Sequence, residues 1–96
     1  MSPLKRKKLG KIRSELDKLD NSLIKLIKKR TNLVNQVLKL KDKKKDIIDN
    51  KRIKIILKNI RKKSITNNID PKITNRIWKN MIWSYIDYER RNFKKK

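Results

Sequence analysis

The sequence predicts an all-α fold with three helices per chain, one long, one short and one of medium length, assembled as an intertwined helical homodimer. Apolar residues recur at helical spacing over about 30 residues near the start of the chain. Two shorter stretches with the same kind of spacing follow. No segment alternates apolar and polar residues with a period of two, so we expect no β-sheet.

A row of apolar residues defines the first helix. Steps of four and three residues alternate along the row, with one gap at Arg30, and neither Gly nor Pro interrupts it. A helix of about 30 residues is about 45 Å long. Residues 42–46 are all charged and predict its frayed end or a loop. The apolar row comprises Ile12, Leu16, Leu19, Leu23, Leu26, Leu33, Val37 and Leu40.

Two shorter helices follow. The second spans about residues 50–63, with Asp49 or Asn50 as the candidate N-cap, and residues 64–70 are predicted to form a polar loop. Asp70-Pro71 predicts the start of a third helix that runs to about residue 93. The apolar sides of these helices comprise Ile53, Ile56, Leu57 and Ile60, and then Ile73, Ile77, Trp78, Met81, Ile82, Tyr85 and Ile86.

The length of the first helix predicts self-association. Within one chain much of its apolar row would remain in water, because neither of the other helices is long enough to cover it. Pairing with a second copy would bury the row. A plain coiled coil would account for the row but not for the aromatic third helix or the charge at Arg30. We expect a basic tail at residues 1–10, one domain at residues 11–93 and a basic tail at residues 94–96.

Composition narrows the possible functions. The chain of 96 residues contains no Cys and no His, so we expect no disulfide and no metal site. The first residues lack the apolar core of a secretory signal, and no apolar run approaches the length of a membrane span. We therefore expect a cytoplasmic protein with no membrane association.

The net charge of +22 favours nucleic acid as a partner. Lys supplies 23 of the 31 basic residues and is spread over the whole chain, whereas specific readers of bases rely on Arg. A solvated basic surface therefore has more support than a selected patch, and we expect nucleic acid to bind only non-specifically.

Cationic residues occupy unusual positions in the first helix. Arg30 fills a place that the row assigns to an apolar residue, and Lys41, eleven residues later, shares its face about 16 Å along the axis. Two such cations need a protein carboxylate or a bound anion, unless Arg30 reaches water at the edge of the row. Arg13 lies about 25 Å before Arg30 and could serve the same small ligand only from a second chain.

Charged residues of the second and third helices also lie at positions that could face the interior. In the third helix, Trp78, Ile82, Tyr85 and Glu89 share one face, so that Glu89 ends an apolar and aromatic row. The alternative for Glu89 is an exposed carboxylate at a helix end that pairs with Lys or Arg. At the start of the second helix, Arg52 can face inward.

The ordered set of these residues resembles the all-helical, AroQ-type chorismate mutases over residues 11–91. The shared pattern is an opening Arg and Leu-Asp segment, an Arg within an apolar stretch, a Val and Lys, an Asp-x-x-Arg unit, an Asp-Pro start and a final pair spaced by four. The matching residues are Arg13, Leu16, Asp17, Leu19, Asp20, Leu23, Arg30, Val37, Lys41, Asp49, Arg52, Asp70, Pro71, Tyr85 and Glu89.

The resemblance implies a homodimer with two shared active sites for the dianion chorismate, and an intramolecular rearrangement that needs no cofactor. Arg30 and the partner's Arg13 would clamp the two carboxylates, while Lys41 and Glu89 would contact the ether oxygen. Arg52 would support the anionic pocket, and the Asp49 backbone would meet the hydroxyl. The apolar wall would be formed by Val37, Ile56 and Ile82.

Two positions depart from the family pattern. Ile53 stands where the family usually has a Glu that binds the ring hydroxyl, and Tyr85 stands where a small residue is usual. The loop before Asp49 is also one residue shorter than usual.

Three other functions stay open. An isochorismate pyruvate-lyase would use the same fold and a similar cationic pocket. A basic helical protein could bind nucleic acid without catalysis, and a structural coiled coil would bind no small anion.

Overall fold

The computed structural model describes residues 1–94, which form three α-helices and no strand. Helix α1 spans Pro3–Leu40, α2 spans Asn50–Thr66 and α3 spans Pro71–Asn92, and a short 3-10 helix, Lys44–Ile47, lies between α1 and α2. The predicted all-α class and the three helices of unequal length are confirmed. None of the helices within residues 1–94 combines the length and apolar character required of a membrane span.

Helix α1 begins earlier than its apolar row predicts. Its 38 residues correspond to about 57 Å. The Ser2 hydroxyl caps the first turn by accepting a hydrogen bond from the Lys5 amide at 3.2 Å, and Pro3 suits the first helical position because it needs no amide hydrogen. Residues 3–10 are therefore helical, and the domain boundary at residue 11 stays a prediction.

The chain divides into two compact units, Met1–Leu33 and Val34–Lys96. The first unit contains most of α1, and its side chains are almost all exposed in the single chain. The eight apolar residues of the predicted row keep between 49% and 80% of their surface accessible. An α-helix with this much aliphatic surface in water is a candidate for association.

The second unit contains the hydrophobic core. Leu38, Ile47, Ile82 and Ile86 are its buried members. Ile47 is only 3% exposed, although it directly follows the charged residues that predict a loop. The 3-10 turn directs Ile47 inward, so this segment is structured and contributes to the core. Partly buried residues that pack against the core are Ile48, Ile53, Ile56, Leu57 and Phe93.

Helix α2 continues past the predicted end at residue 63. The hydroxyls of Ser64 and Thr66 donate to the carbonyls of Ile60 and Lys62, at 2.6 and 3.0 Å, and so remain satisfied within the helix. The Ser64 hydroxyl also lies 2.6 Å from that of Thr74, which connects buried Ser64 to α3. The expected loop at residues 64–70 therefore begins three residues too early.

The turn between α2 and α3 is built from side chains suited to it. Asn68 adopts a left-handed conformation with φ of 56°, and the Ile69 amide donates to the Ser64 carbonyl at 2.8 Å, as in a Schellman motif. Asp70 then caps α3 by accepting from the Lys72 amide at 2.9 Å, with Pro71 at the first helical position. The predicted Asp70-Pro71 start is confirmed.

Candidate active site

A largely enclosed ion pair joins the end of α1 to the end of α3. Lys41 Nζ donates to Glu89 Oε1 at 3.1 Å, and the two side chains are only 18% and 8% exposed. Lys41 directly follows the last residue of α1, and its amide donates to the Leu38 carbonyl at 3.1 Å. Glu89 lies in the last full turn of α3. The pair therefore depends on two helix ends being held in fixed positions.

The register of α3 carries Glu89 into the interior. Ile82, Ile86, Glu89 and Phe93 follow one another at spacings of four, three and four residues, which places them on one face. The two isoleucines belong to the core, and Phe93 packs against it. Glu89 is 6% exposed, so the alternative of an exposed carboxylate at a helix end is wrong.

The electrostatics of this pair differ from those of the surface. An exposed ion pair, Arg91–Asp87, lies four residues apart on α3, with side chains 65% and 69% exposed. Water screens such a pair almost completely. In contrast, Lys41 and Glu89 have lost most of their hydration, so each charge depends on the other for compensation.

Tyr88, the residue before Glu89 on α3, makes a second polar contact with α1. The Tyr88 hydroxyl donates to Asn35 Oδ1 at 2.9 Å, and both side chains are half-buried. The Tyr85 ring meets the Tyr88 ring edge-on with centroids 6.4 Å apart. The sequence prediction did not include the Asn35–Tyr88 contact. The available signal was the amide pair Asn35-Gln36, which lies between the apolar pairs Leu33-Val34 and Val37-Leu38.

Asp49 caps α2, as one of the two candidates predicted for this position. Its Oδ1 accepts a hydrogen bond from the Arg52 amide at 3.0 Å. Arg52, expected to face inward, is exposed in the single chain, whereas Ile53 packs against the core. The departure at Ile53 thus places an aliphatic side chain on the inner side of this turn.

The remaining predicted site residues divide between the two units. Arg13 and Arg30 lie on α1 within Met1–Leu33, and both are exposed in the single chain. Their convergence with Lys41 stays a prediction. The other residues lie in the second unit, with Ile82 buried, Ile56 and Tyr85 half-buried, and Val37 exposed.

Residues 1–94 are thus all-helical, with a lysine and a glutamate enclosed between the ends of two helices. Within residues 1–94, acidic side chains do not gather into a group that could hold a metal ion. The family described as chorismate mutase type II matches residues 12–90. The chain therefore belongs to the chorismate mutase family, whose activity is that of an isomerase. Comparison with curated proteins and with solved structures finds no match.

We predict that Lys41→Met lowers the free energy of unfolding by about 3 kcal/mol at neutral pH, because it leaves the Glu89 carboxylate buried without a counter-charge. The double variant Lys41→Met/Glu89→Leu should recover most of this loss, since it removes both charges. Urea unfolding followed by circular dichroism measures both effects.

Arg91→Met is the matched control for this prediction, because it breaks an ion pair of the same kind at an exposed position. It should change stability very little. An equal decrease in the free energy of unfolding for Lys41→Met and Arg91→Met would show that the enclosure of the Lys41–Glu89 pair does not affect stability.

Proposed function

We propose that the chain is a chorismate mutase that converts chorismate to prephenate in phenylalanine and tyrosine biosynthesis, with residues 11–93 as its catalytic domain. The family match over residues 12–90 supports the reaction class. The observation that carries the proposal is the enclosed Lys41–Glu89 pair, which joins two residues that the family resemblance assigns to the same substrate oxygen.

The reaction is an intramolecular rearrangement. One C–O bond breaks and one C–C bond forms within the same molecule, so no group leaves and no nucleophile is needed. The enzyme must hold the flexible dianion with its reacting ends together and stabilise the negative charge that grows on the ether oxygen. Both tasks require positioned cations and hydrogen-bond donors.

Lys41 is suited to the second task. Its ammonium group has three hydrogens, and the contact with Glu89 Oε1 occupies one of them. The others are available for the ether oxygen and a substrate carboxylate. Because the side chain is only 18% exposed, these bonds would form where water competes weakly, which increases their value in the transition state.

Arginines from two chains would carry out the first task. In the proposal, Arg30 holds one substrate carboxylate and the partner's Arg13 holds the other, each through the two parallel hydrogen bonds that a guanidinium offers. The exposed aliphatic row of α1 supports the intertwined homodimer that this arrangement needs. Association would cover the row and bring cations from both copies around one dianion.

The rest of the pocket follows from the second unit. Arg52 adds positive charge at the first turn of α2, the Asp49 backbone meets the substrate hydroxyl, and Tyr85 offers a hydroxyl to a carboxylate. An apolar wall comes from Val37, Ile56 and Ile82. Ile53 has no group that could bind the ring hydroxyl, so we expect weaker substrate binding than with Glu at this position.

Arg30→Ala should reduce turnover of chorismate by about 100-fold or more, because it removes a charged clamp from the site. Lys29→Ala is the control, since it removes the same charge from the adjacent exposed position. Loss of chorismate absorbance with purified protein measures both. An Arg30→Ala variant as active as Lys29→Ala would contradict the site, and release of pyruvate from isochorismate alone would favour the lyase.

Mixing two inactive variants tests whether the sites are shared. Arg13→Ala and Arg30→Ala, unfolded and refolded together, should form heterodimers in which one site receives both wild-type arginines. Random assortment then predicts recovery of about a quarter of the wild-type activity. Recovery should be absent when either variant is refolded alone. No recovery in the mixture would contradict a site built from two chains.

Replacement of Glu89 tests its role at the ether oxygen. The side-chain amide of Glu89→Gln is a hydrogen-bond donor and should support turnover of chorismate, whereas Glu89→Ala offers the ether oxygen no donor and should reduce turnover by about 100-fold. The rate of chorismate loss at neutral pH measures both variants, and a Glu89→Ala variant as active as Glu89→Gln would remove Glu89 from the chemistry.

A further inference from the structure

Two consecutive residues of α3 each make a polar contact with the C-terminal end of α1. Tyr88 donates to Asn35 at 2.9 Å, and Glu89 accepts from Lys41 at 3.1 Å. All four residues belong to the unit Val34–Lys96. The ion pair accounts for Glu89 and Lys41 in the proposed chemistry, whereas Asn35 and Tyr88 have no part in it.

Both members of the ion pair stand at places where helices are least constrained. Lys41 lies just beyond α1, and Glu89 lies three residues before the last residue of α3. The final carbonyls of a helix lack partners within the helix, and such ends fray. The Lys41 and Glu89 side chains are also long, with several rotatable bonds each. The ion pair therefore does not by itself fix the position of its carboxylate.

The Asn35–Tyr88 contact supplies the missing constraint. Asn35 lies within α1, more than one turn before its end, and its short side chain has little freedom. The Tyr88 ring is rigid and is supported edge-on by the ring of Tyr85. Because Tyr88 is covalently adjacent to Glu89, a hydroxyl held at Asn35 restricts both the rotation and the sliding of α3 at Glu89.

An apolar contact lies between the two polar ones. Asn35, Leu38 and Lys41 follow at intervals of three residues at the end of α1, so that each is a neighbour of the next. Leu38 is buried in the core with Ile82 and Ile86 of α3. The order along α1 is therefore hydrogen bond, apolar contact, ion pair. An apolar contact tolerates small shifts between helices, whereas a hydrogen bond of 2.9 Å requires one register.

We propose that Asn35 and Tyr88 are positioning residues, whose hydrogen bond sets the register of α3 against α1 and so aims the Glu89 carboxyl at Lys41. The consequence of this hydrogen bond for catalysis rests on the proposed mutase function. In a mutase, the bond positions Lys41 and Glu89, the two residues that contact the ether oxygen. Loss of the Tyr88 hydroxyl leaves the core intact but lets Glu89 move away from Lys41.

The carboxyl carbon of Glu89 gives a readout that does not depend on activity. The chain contains only two glutamates, Glu15 and Glu89, so glutamate labelled with ¹³C at the side-chain carboxyl gives two assignable resonances. Lys41→Met shows where the Glu89 resonance lies when the ammonium is absent. In Tyr88→Phe the resonance should move towards that position, while the Glu15 resonance stays unchanged. Asn35→Leu should shift it in the same direction.

Thr74→Val is the matched control variant. It also removes a hydrogen-bonding hydroxyl between two helices, the contact with Ser64 at 2.6 Å, but at the opposite end of α3. A similar fall in melting temperature is expected for Thr74→Val and Tyr88→Phe. Only Tyr88→Phe should move the Glu89 resonance.

Kinetics then test the catalytic consequence. Tyr88→Phe should lower kcat by about tenfold with little change in KM, because misplacement of a catalytic group weakens binding of the transition state more than that of the substrate. The double variant Asn35→Leu/Tyr88→Phe should be no slower than the worse single variant, since both changes break one contact. Thr74→Val should keep its kcat.

An unchanged Glu89 resonance in both Tyr88→Phe and Asn35→Leu would overturn the proposal, as would an equal movement in Thr74→Val. A displaced resonance with unchanged kcat would overturn the catalytic part. If the wild-type protein leaves chorismate unchanged, the proposed function fails, and the Glu89 resonance alone decides whether Tyr88 positions the carboxyl.

Discussion

The enclosed contact between Lys41 and Glu89 is an electrostatic requirement that the fold of the second unit must meet. In a chain of net charge +22 with nine acidic residues, one carboxylate is enclosed by the core and compensated by one lysine. Burying either group alone would cost several kcal/mol, so the ends of α1 and α3 must meet. The isoleucines of α3 supply the enclosure, and the end of α1 supplies the cation. The same contact leaves ammonium hydrogens available for a ligand.

Local signals in the sequence predicted the helices well where capping chemistry is explicit. Asp49, one of two candidate caps, and Asp70-Pro71 indicate helix starts, and each Asp side chain accepts a backbone hydrogen bond there. Ser2-Pro3 carries the same information, but the apolar row begins only at Ile12, so the first turns of α1 were assigned to a tail. Ile47 was missed because its neighbours are charged and a 3-10 turn is too short to show a periodic pattern.

The sequence could predict only those parts of the candidate site that lie within one chain. The spacing on α3 placed Glu89 on an apolar face, and the structure encloses it there. The contact between Asn35 and Tyr88 joins residues 53 positions apart, and no local pattern specifies which tyrosine an amide of α1 will meet. The positions of Arg13 and Arg30 in the site could not be predicted from one chain, since their proposed roles depend on a second copy. Sequence periodicity predicts a partner chain but does not describe the geometry of its cations.

The aliphatic row of α1 has a consequence for how the proposed dimer responds to protein concentration. A helix of 38 residues with leucines and isoleucines in water gains little from its own backbone, so most of its stability must come from packing. In the proposed dimer, folding of this segment and assembly of the catalytic centre become one equilibrium. The melting temperature would then rise with the logarithm of protein concentration. The concentration of subunits would also determine how many active sites are assembled.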